Sequence, residues 1–167
     1  MGREVRRVPA SWEHPKDEEE HLIPLFGGSF KECAAQWDEE NSQWNKGFYR
    51  LIGDEWKPKG PDQTGTYEEW DGARPEEHQY MPDWPEAERT HYQMYETTTE
   101  GTPISPVMET PETLARWLAD NNTSAFADMD ATYDQWLATI KRSGSTPSMV
   151  VGPGKRLVSG VEALHEK

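Results

Sequence analysis

"THYQMYETTTEGTPISPVMETPETLARWLADN", residues 90–121, joins the two periodicities from which the fold follows. Its first part alternates as a strand does, with Tyr92, Met94 and Glu96 on one face and His91, Gln93 and Tyr95 on the other. The threonines that follow favour extended backbone. From Thr110 the period changes. Thr110 is an N-cap residue, Pro111 takes the first helical position, where its missing N–H costs nothing, and Glu112 faces the positive end of the helix dipole. Leu114, Trp117 and Leu118 then recur at three and four, so the spacing predicts a helix from 110 to about 120, with Asn121 and Asn122 as its exit. Between strand and helix, Ser105 sits between Pro103 and Pro106. Each proline fixes its own φ and pushes the residue before it towards extended backbone, which makes a stiff connector. A nucleophile elbow would need glycines around the serine, as in GxSxG, and they are absent. No catalytic residue is assigned here or elsewhere.

Downstream, residues 130–142 form a second helix whose stripe is Tyr133, Trp136, Leu137 and Ile140; Lys141 and Arg142 lie at its negative end and Gly144 closes it. Residues 149–151 and 157–161 read as short strands around Gly152-Pro153-Gly154. Upstream, residues 1–28 form an extended segment: "EVRRVPASW" with Val5, Val8 and Trp12, the acidic run 17–20, then "HLIPLFGG". Ser29 with Glu32 makes a capping box for a helix that buries Phe30, Cys33, Ala34, Trp37 and Trp44 and stops at Gly47. Residues 47–60 suggest two short strands about a Gly53-Asp54 turn. Strands and helices segregate instead of alternating. The expected fold is therefore α+β, a single domain over residues 1–167 with a small antiparallel sheet and about three helices.

Residues 60–90 depart from this pattern as a Pro- and Gly-rich acidic excursion. Between 60 and 100 there are eleven Asp and Glu against Arg74 and Arg89, while Tyr67, Trp70, Tyr80, Met81 and Trp84 can pin the loop to a core. The whole chain has 17 basic and 31 acidic residues, a net charge of −14. Such a field repels polyanions and attracts basic surfaces, so direct nucleic-acid binding is disfavoured. Eight Trp argue against wholesale disorder. Cys33 is the only cysteine, which excludes an intrachain disulfide and suits a reducing compartment. The basic N-terminus has no apolar stretch behind it and reads as no secretory signal; no apolar run approaches the roughly 20 residues of a membrane helix.

His14, His21, His78, His91 and His165 include no HExxH pair, and there is no CxxC, so neither a metal nor a cofactor is assigned. "VVGPGKRL" lacks P-loop spacing and precedes a strand, which makes it a hairpin turn. Pairs such as Glu68/Glu69 and Glu76/Glu77 are expected by chance among 31 acids.

"GREVRRVP", "YMPDWPEAERTHYQMYETTTEGTPISPVMETPETLARWLADN", "SAFADMDATYDQWLATI", "PSMVV" and "LVSGVEAL" together resemble a family of small tailed-phage and prophage proteins of unassigned function. The resemblance covers most of the chain, especially residues 81–164. It implies phage origin and action in a bacterial host cytoplasm, and it supplies no catalytic or binding residues.

Context and charge together point to a non-enzymatic accessory protein that binds a host or phage protein with a basic surface. It would present carboxylates where a host nuclease or defence complex expects phosphates. Glu68, Glu69, Asp71, Glu76 and Glu77 supply the charge; Trp70, Tyr80 and Trp84 supply the anchors. The alternatives are acids that only confer solubility, a small phage hydrolase or nucleotide-modifying enzyme using acids with His78 or His91, and a virion or assembly component.

Overall fold

The computed structural model describes residues 2–51, 55–97, 101–142, 144–151 and 157–165. They gather into two compact units, Met1–Leu25 with Trp84–Lys167, and Phe26–Asp83. The fold is α+β.

The first unit is built on β1 (Arg3–Val8), β4 (His91–Glu96), β5 (Thr102–Pro103) and β6 (Gly144–Thr146), in the antiparallel order β5-β4-β1-β6. In the central pair Val5 lies opposite Met94 and Arg6 opposite Gln93, so each pairs with a residue of its own face. One face receives α3 (Pro111–Asp120), α4 (Tyr133–Arg142) and α5 (Gly160–His165). Its core is Val5, Met94, Leu114, Ala115, Leu118, Ala125, Trp136, Ile140 and Val161. Full burial of one large side chain here contributes about 1.5–3 kcal/mol.

The other face is not left to solvent, as simple alternation in residues 90–98 would suggest. Arg6, Val8, Gln93 and Tyr95 are all buried on it. The chain leaving β1, residues 9–25, folds back over them: Arg6 Nη1 donates to the Leu25 carbonyl (2.8 Å) and Leu25 N–H to the Gly101 carbonyl (3.2 Å). Gly101 has φ +106°, and a Cβ there would strike the Leu25 carbonyl and the Arg6 guanidinium; glycine is required.

Several sequence expectations are corrected at element ends. The helix expected from residue 130 starts at Tyr133, because Thr132 and Gln135 cap it: Gln135 N–H donates to Thr132 Oγ1 and Thr132 N–H to Gln135 Oε1. Gly144, expected to close that helix, opens β6 opposite Val5. The strand expected over 157–161 ends at Ser159, whose hydroxyl accepts the Glu162 N–H and starts α5. That strand, β8 (Leu157–Ser159), pairs with β7 (Met149–Val151). Both Thr110 and Pro111 act as expected, the Thr110 hydroxyl accepting the Thr113 N–H (3.1 Å). The Gly53-Asp54 and Gly152-Pro153-Gly154 turns lie outside the described residues.

The second unit is organised by α1 (Phe30–Asn45), capped by Ser29 and stopped at Gly47, which has φ +90°. Its buried residues are Ala34 and Trp44; Phe30, Cys33 and Trp37 are half-buried, so the apolar stripe is only partly covered. A short antiparallel pair of two-residue strands, β2 (Phe48–Tyr49) and β3 (Lys57–Pro58), follows. The excursion expected to be irregular contains α2 (Tyr67–Asp71), set by a reciprocal Thr66/Glu69 capping box, and a single 3-10 turn at Glu77–Gln79; a second such turn, Glu86–Glu88, lies in the first unit. The T-x-x-E signature of that box was present in the sequence.

Candidate functional sites

The acidic excursion is held to α1 by two indoles. Trp44 Nε1 donates to the Gly65 carbonyl (2.9 Å) and Trp37 Nε1 to the Gly72 carbonyl (3.1 Å). Tyr67, nearly fully buried, packs between these two rings and donates its hydroxyl to Glu40. Arg50 Nε and Nη2 (both 3.1 Å) and Gln36 Nε2 (3.1 Å) converge on the same carboxylate, with the Arg50 guanidinium stacked over Trp56. Burial alone would raise the Glu40 pKa, but the hydrogen bonds from Tyr67, Gln36 and Arg50 outweigh it and hold the group below its ordinary value. Burial, with Glu40 beside it, pushes the Tyr67 phenol well above its usual range.

Of the eight residues singled out from the sequence, α2 presents four: Glu68, Glu69, Trp70 and Asp71. Trp70 is 40% exposed, resting on Trp44 (5.3 Å between centroids) and edge-on to Tyr49 (6.3 Å). Leu51, two residues beyond Tyr49, is 58% exposed. The carboxylates differ in their commitments. Glu69 is bent back onto Thr66, whose backbone N–H lowers its pKa, and Glu76 caps the turn at Glu77–Gln79 and lies 3.2 Å from His78 Nδ1. Asp71 ends α2 and is exposed. Glu68 and Glu77 are exposed and form no ion pair among the described residues. Tyr80 is half-buried against Phe26 and Phe30 and is part of the packing, not a free anchor. Trp84 belongs to the first unit, stacked edge-on to Trp12 at 4.7 Å.

The first unit holds a constellation of residues distant in the chain that no sequence motif links. Tyr95, fully buried under residues 9–25, accepts from Trp12 Nε1 (3.0 Å), donates to Gln93 Oε1 (2.9 Å) and lies 3.4 Å from His14 Nδ1. The Arg6 guanidinium stacks over the Tyr95 ring at 4.2 Å. Burial pushes the Tyr95 phenol up to about 12. Burial also pulls the His14 pKa down, against the Ile23 carbonyl hydrogen bond (2.7 Å), with the Arg6 charge adding to the depression. Trp12, His14 and Gln93 line a cleft of about 720 Å³ together with Pro103, Pro106 and Val107. The alternation of residues 90–98 put Gln93 and Tyr95 on one face, but only tertiary closure brings residues 12–14 onto them.

Ser105 stands beside this cleft in a structural role. Its hydroxyl accepts the Met94 N–H (2.9 Å) and donates to the Pro106 carbonyl (2.9 Å), while its carbonyl accepts from Gln93 Nε2 (2.8 Å). It continues the β4 pairing by side chain where β5 ends. His78 is exposed next to Glu76 and His91 contacts Thr90; neither lines the cleft. Among the described residues no group of three or more His, Cys, Asp and Glu is placed to hold a metal, and no helix is long and apolar enough to cross a membrane.

No family model, curated protein or solved structure matches this chain.

Proposed function

We propose that this is a phage-encoded accessory protein that acts in the host cytoplasm by binding a basic macromolecular partner, an acidic inhibitor of a host nucleic-acid-binding or defence complex. The observation that carries the reading is an exposed tryptophan, Trp70, set on a helix whose other outward residues are carboxylates. Exposed aromatics contribute most of the anchoring energy at interfaces, and the charge around them chooses the partner. In the same unit Arg50 is engaged with Glu40, Arg74 forms a two-point pair with Asp38 (both 2.8 Å), and Lys59 lies over Trp44 (3.9 Å). Glu68 and Glu77 form no ion pair among the described residues and add uncompensated negative charge. The partner surface revised from the sequence reading is Glu68 and Trp70 of α2 with Tyr49, and Glu77 supplies the second exposed carboxylate.

The test is capture of partners from host bacterial lysate at low and high salt, comparing the native chain with Trp70→Ala and with Glu68→Gln/Glu77→Gln. A basic polypeptide retained at low salt, released at high salt and lost with Trp70→Ala is the expected result. Retention that ignores both salt and Trp70 would sink the reading.

A further inference from the structure

We infer that the cleft beside His14 and Gln93 is a binding site for a small, uncharged, planar molecule that carries an amide-like donor–acceptor edge, the chemistry shared by nucleobases and aromatic carboxamides. The volume, about 720 Å³, is that of a small-molecule site, and about half of the lining residues are apolar, Trp12, Leu22, Pro103, Pro106 and Val107 among them. Rigid flat walls favour a flat occupant. Proline fixes two of the walls, and the Trp12 indole is immobilised by its bond to Tyr95 and its contact with Trp84. The opposite wall cannot drift, because residues 9–25 are tied down through Arg6 to Leu25, Leu25 to Gly101 and His14 to Ile23. A preformed cleft loses little entropy on binding.

The specificity element is Gln93. It is 6% exposed and its orientation is set from both ends: Nε2 donates to the Ser105 carbonyl and Oε1 accepts from the Tyr95 hydroxyl. A flipped amide would set oxygen against oxygen at Ser105. By count the amide keeps one further N–H and one further lone pair, the donor and acceptor that glutamine offers to an adenine or to another amide. The rim carries Glu13 and Glu20 around Lys16, and Lys16 is held by Glu20 (2.8 Å), which disfavours an anion; behind the Gln93–Tyr95 wall Arg6 is paired with Glu4 (2.7 Å), so no unpaired buried charge is there to hold an ion of either sign.

The experiment is saturation-transfer NMR and tryptophan-fluorescence titration of the full chain with adenine, benzamide, benzoate, benzylamine and toluene. Adenine, benzamide or both should bind saturably and at least tenfold more tightly than the other three, and the stronger of the two tells nucleobase from carboxamide. Gln93→Leu should weaken binding at least tenfold. Because that variant also orphans Ser105 and Tyr95, Val107→Trp is the second probe: it fills the cleft without touching the network, and should abolish binding while leaving the thermal melt unchanged. Trp70→Ala should leave binding intact, which separates this site from the proposed partner surface. No saturable binding of adenine or benzamide, equal binding of toluene, or full binding by a folded Val107→Trp would overturn the inference.

Discussion

Glu40 is the point at which the second unit can be tested most sharply. Replacing it with alanine removes the acceptor of the Tyr67 hydroxyl, of Arg50 and of Gln36 at once. The Tyr67 hydroxyl is then orphaned in a nearly closed site, at a cost of about 1–3 kcal/mol. The half-exposed Arg50 adds roughly 1 kcal/mol, and the exposed Gln36 close to nothing. Glu40→Ala should therefore destabilise by about 2–4 kcal/mol, read from urea unfolding followed by fluorescence of Trp37, Trp44, Trp56 and Trp70. Tyr67→Phe alone should cost about 1.5 kcal/mol, and the double variant should fall short of the sum by about 1 kcal/mol, because removing the hydroxyl removes the orphan. The pH dependence fixes the sign. The folded-state pKa of Glu40 is depressed, so its contribution is fully present above the unfolded value of about 4.3 and disappears as pH falls through the lower folded value. The gap between native chain and Glu40→Ala should accordingly narrow in acid. A loss below about 0.5 kcal/mol at neutral pH, or strict additivity with Tyr67→Phe, would refute the account of how the acidic excursion is held.

Tyr95 works with the opposite sign: its raised pKa gives a contribution fully present below the unfolded value of about 10 and lost as pH rises towards about 12, so Tyr95→Phe should flatten alkaline destabilisation in a pH-dependent melt. Gly101→Ala should destabilise by about 2–4 kcal/mol in chemical denaturation, since φ +106° and the Leu25 carbonyl both oppose a Cβ; a neutral result would remove the tie between residues 9–25 and the connector. Thr110→Ala should cost about 1 kcal/mol through loss of the cap on α3, while Thr110→Ser should restore most of it. Ser105→Ala should lower stability by about 1–2 kcal/mol by leaving the buried Met94 N–H without its acceptor; a purely catalytic serine would leave the melt unchanged.

Local chemistry carried much of the fold. The caps at Ser29 and Thr110, the glycine stop at Gly47, the stripes Leu114/Leu118 and Trp136/Ile140, and the extended Pro103–Pro106 connector all act through neighbours a few residues away, and all were legible in the sequence. The short helix over residues 67–71 was equally local, written in Thr66 and Glu69, and was obscured by the Pro- and Gly-rich composition around it. What composition also established was the negative charge and, from it, the kind of partner surface that charge can attract.

Tertiary structure decided which of those charges are free. Five carboxylates looked equivalent on paper, yet Glu69 and Glu76 are committed at caps, while Glu68, Asp71 and Glu77 form no ion pair among the described residues. It also decided that the second face of β4 is covered. An alternating strand predicts which residues share a face but is silent on what lies over it, because Trp12 and His14 of the covering segment meet Tyr95 across 83 and 81 positions of chain. Secondary structure is chosen by short-range sterics and capping, which the sequence displays directly. A site is made by distant groups meeting, and that depends on how the whole chain buries its apolar surface.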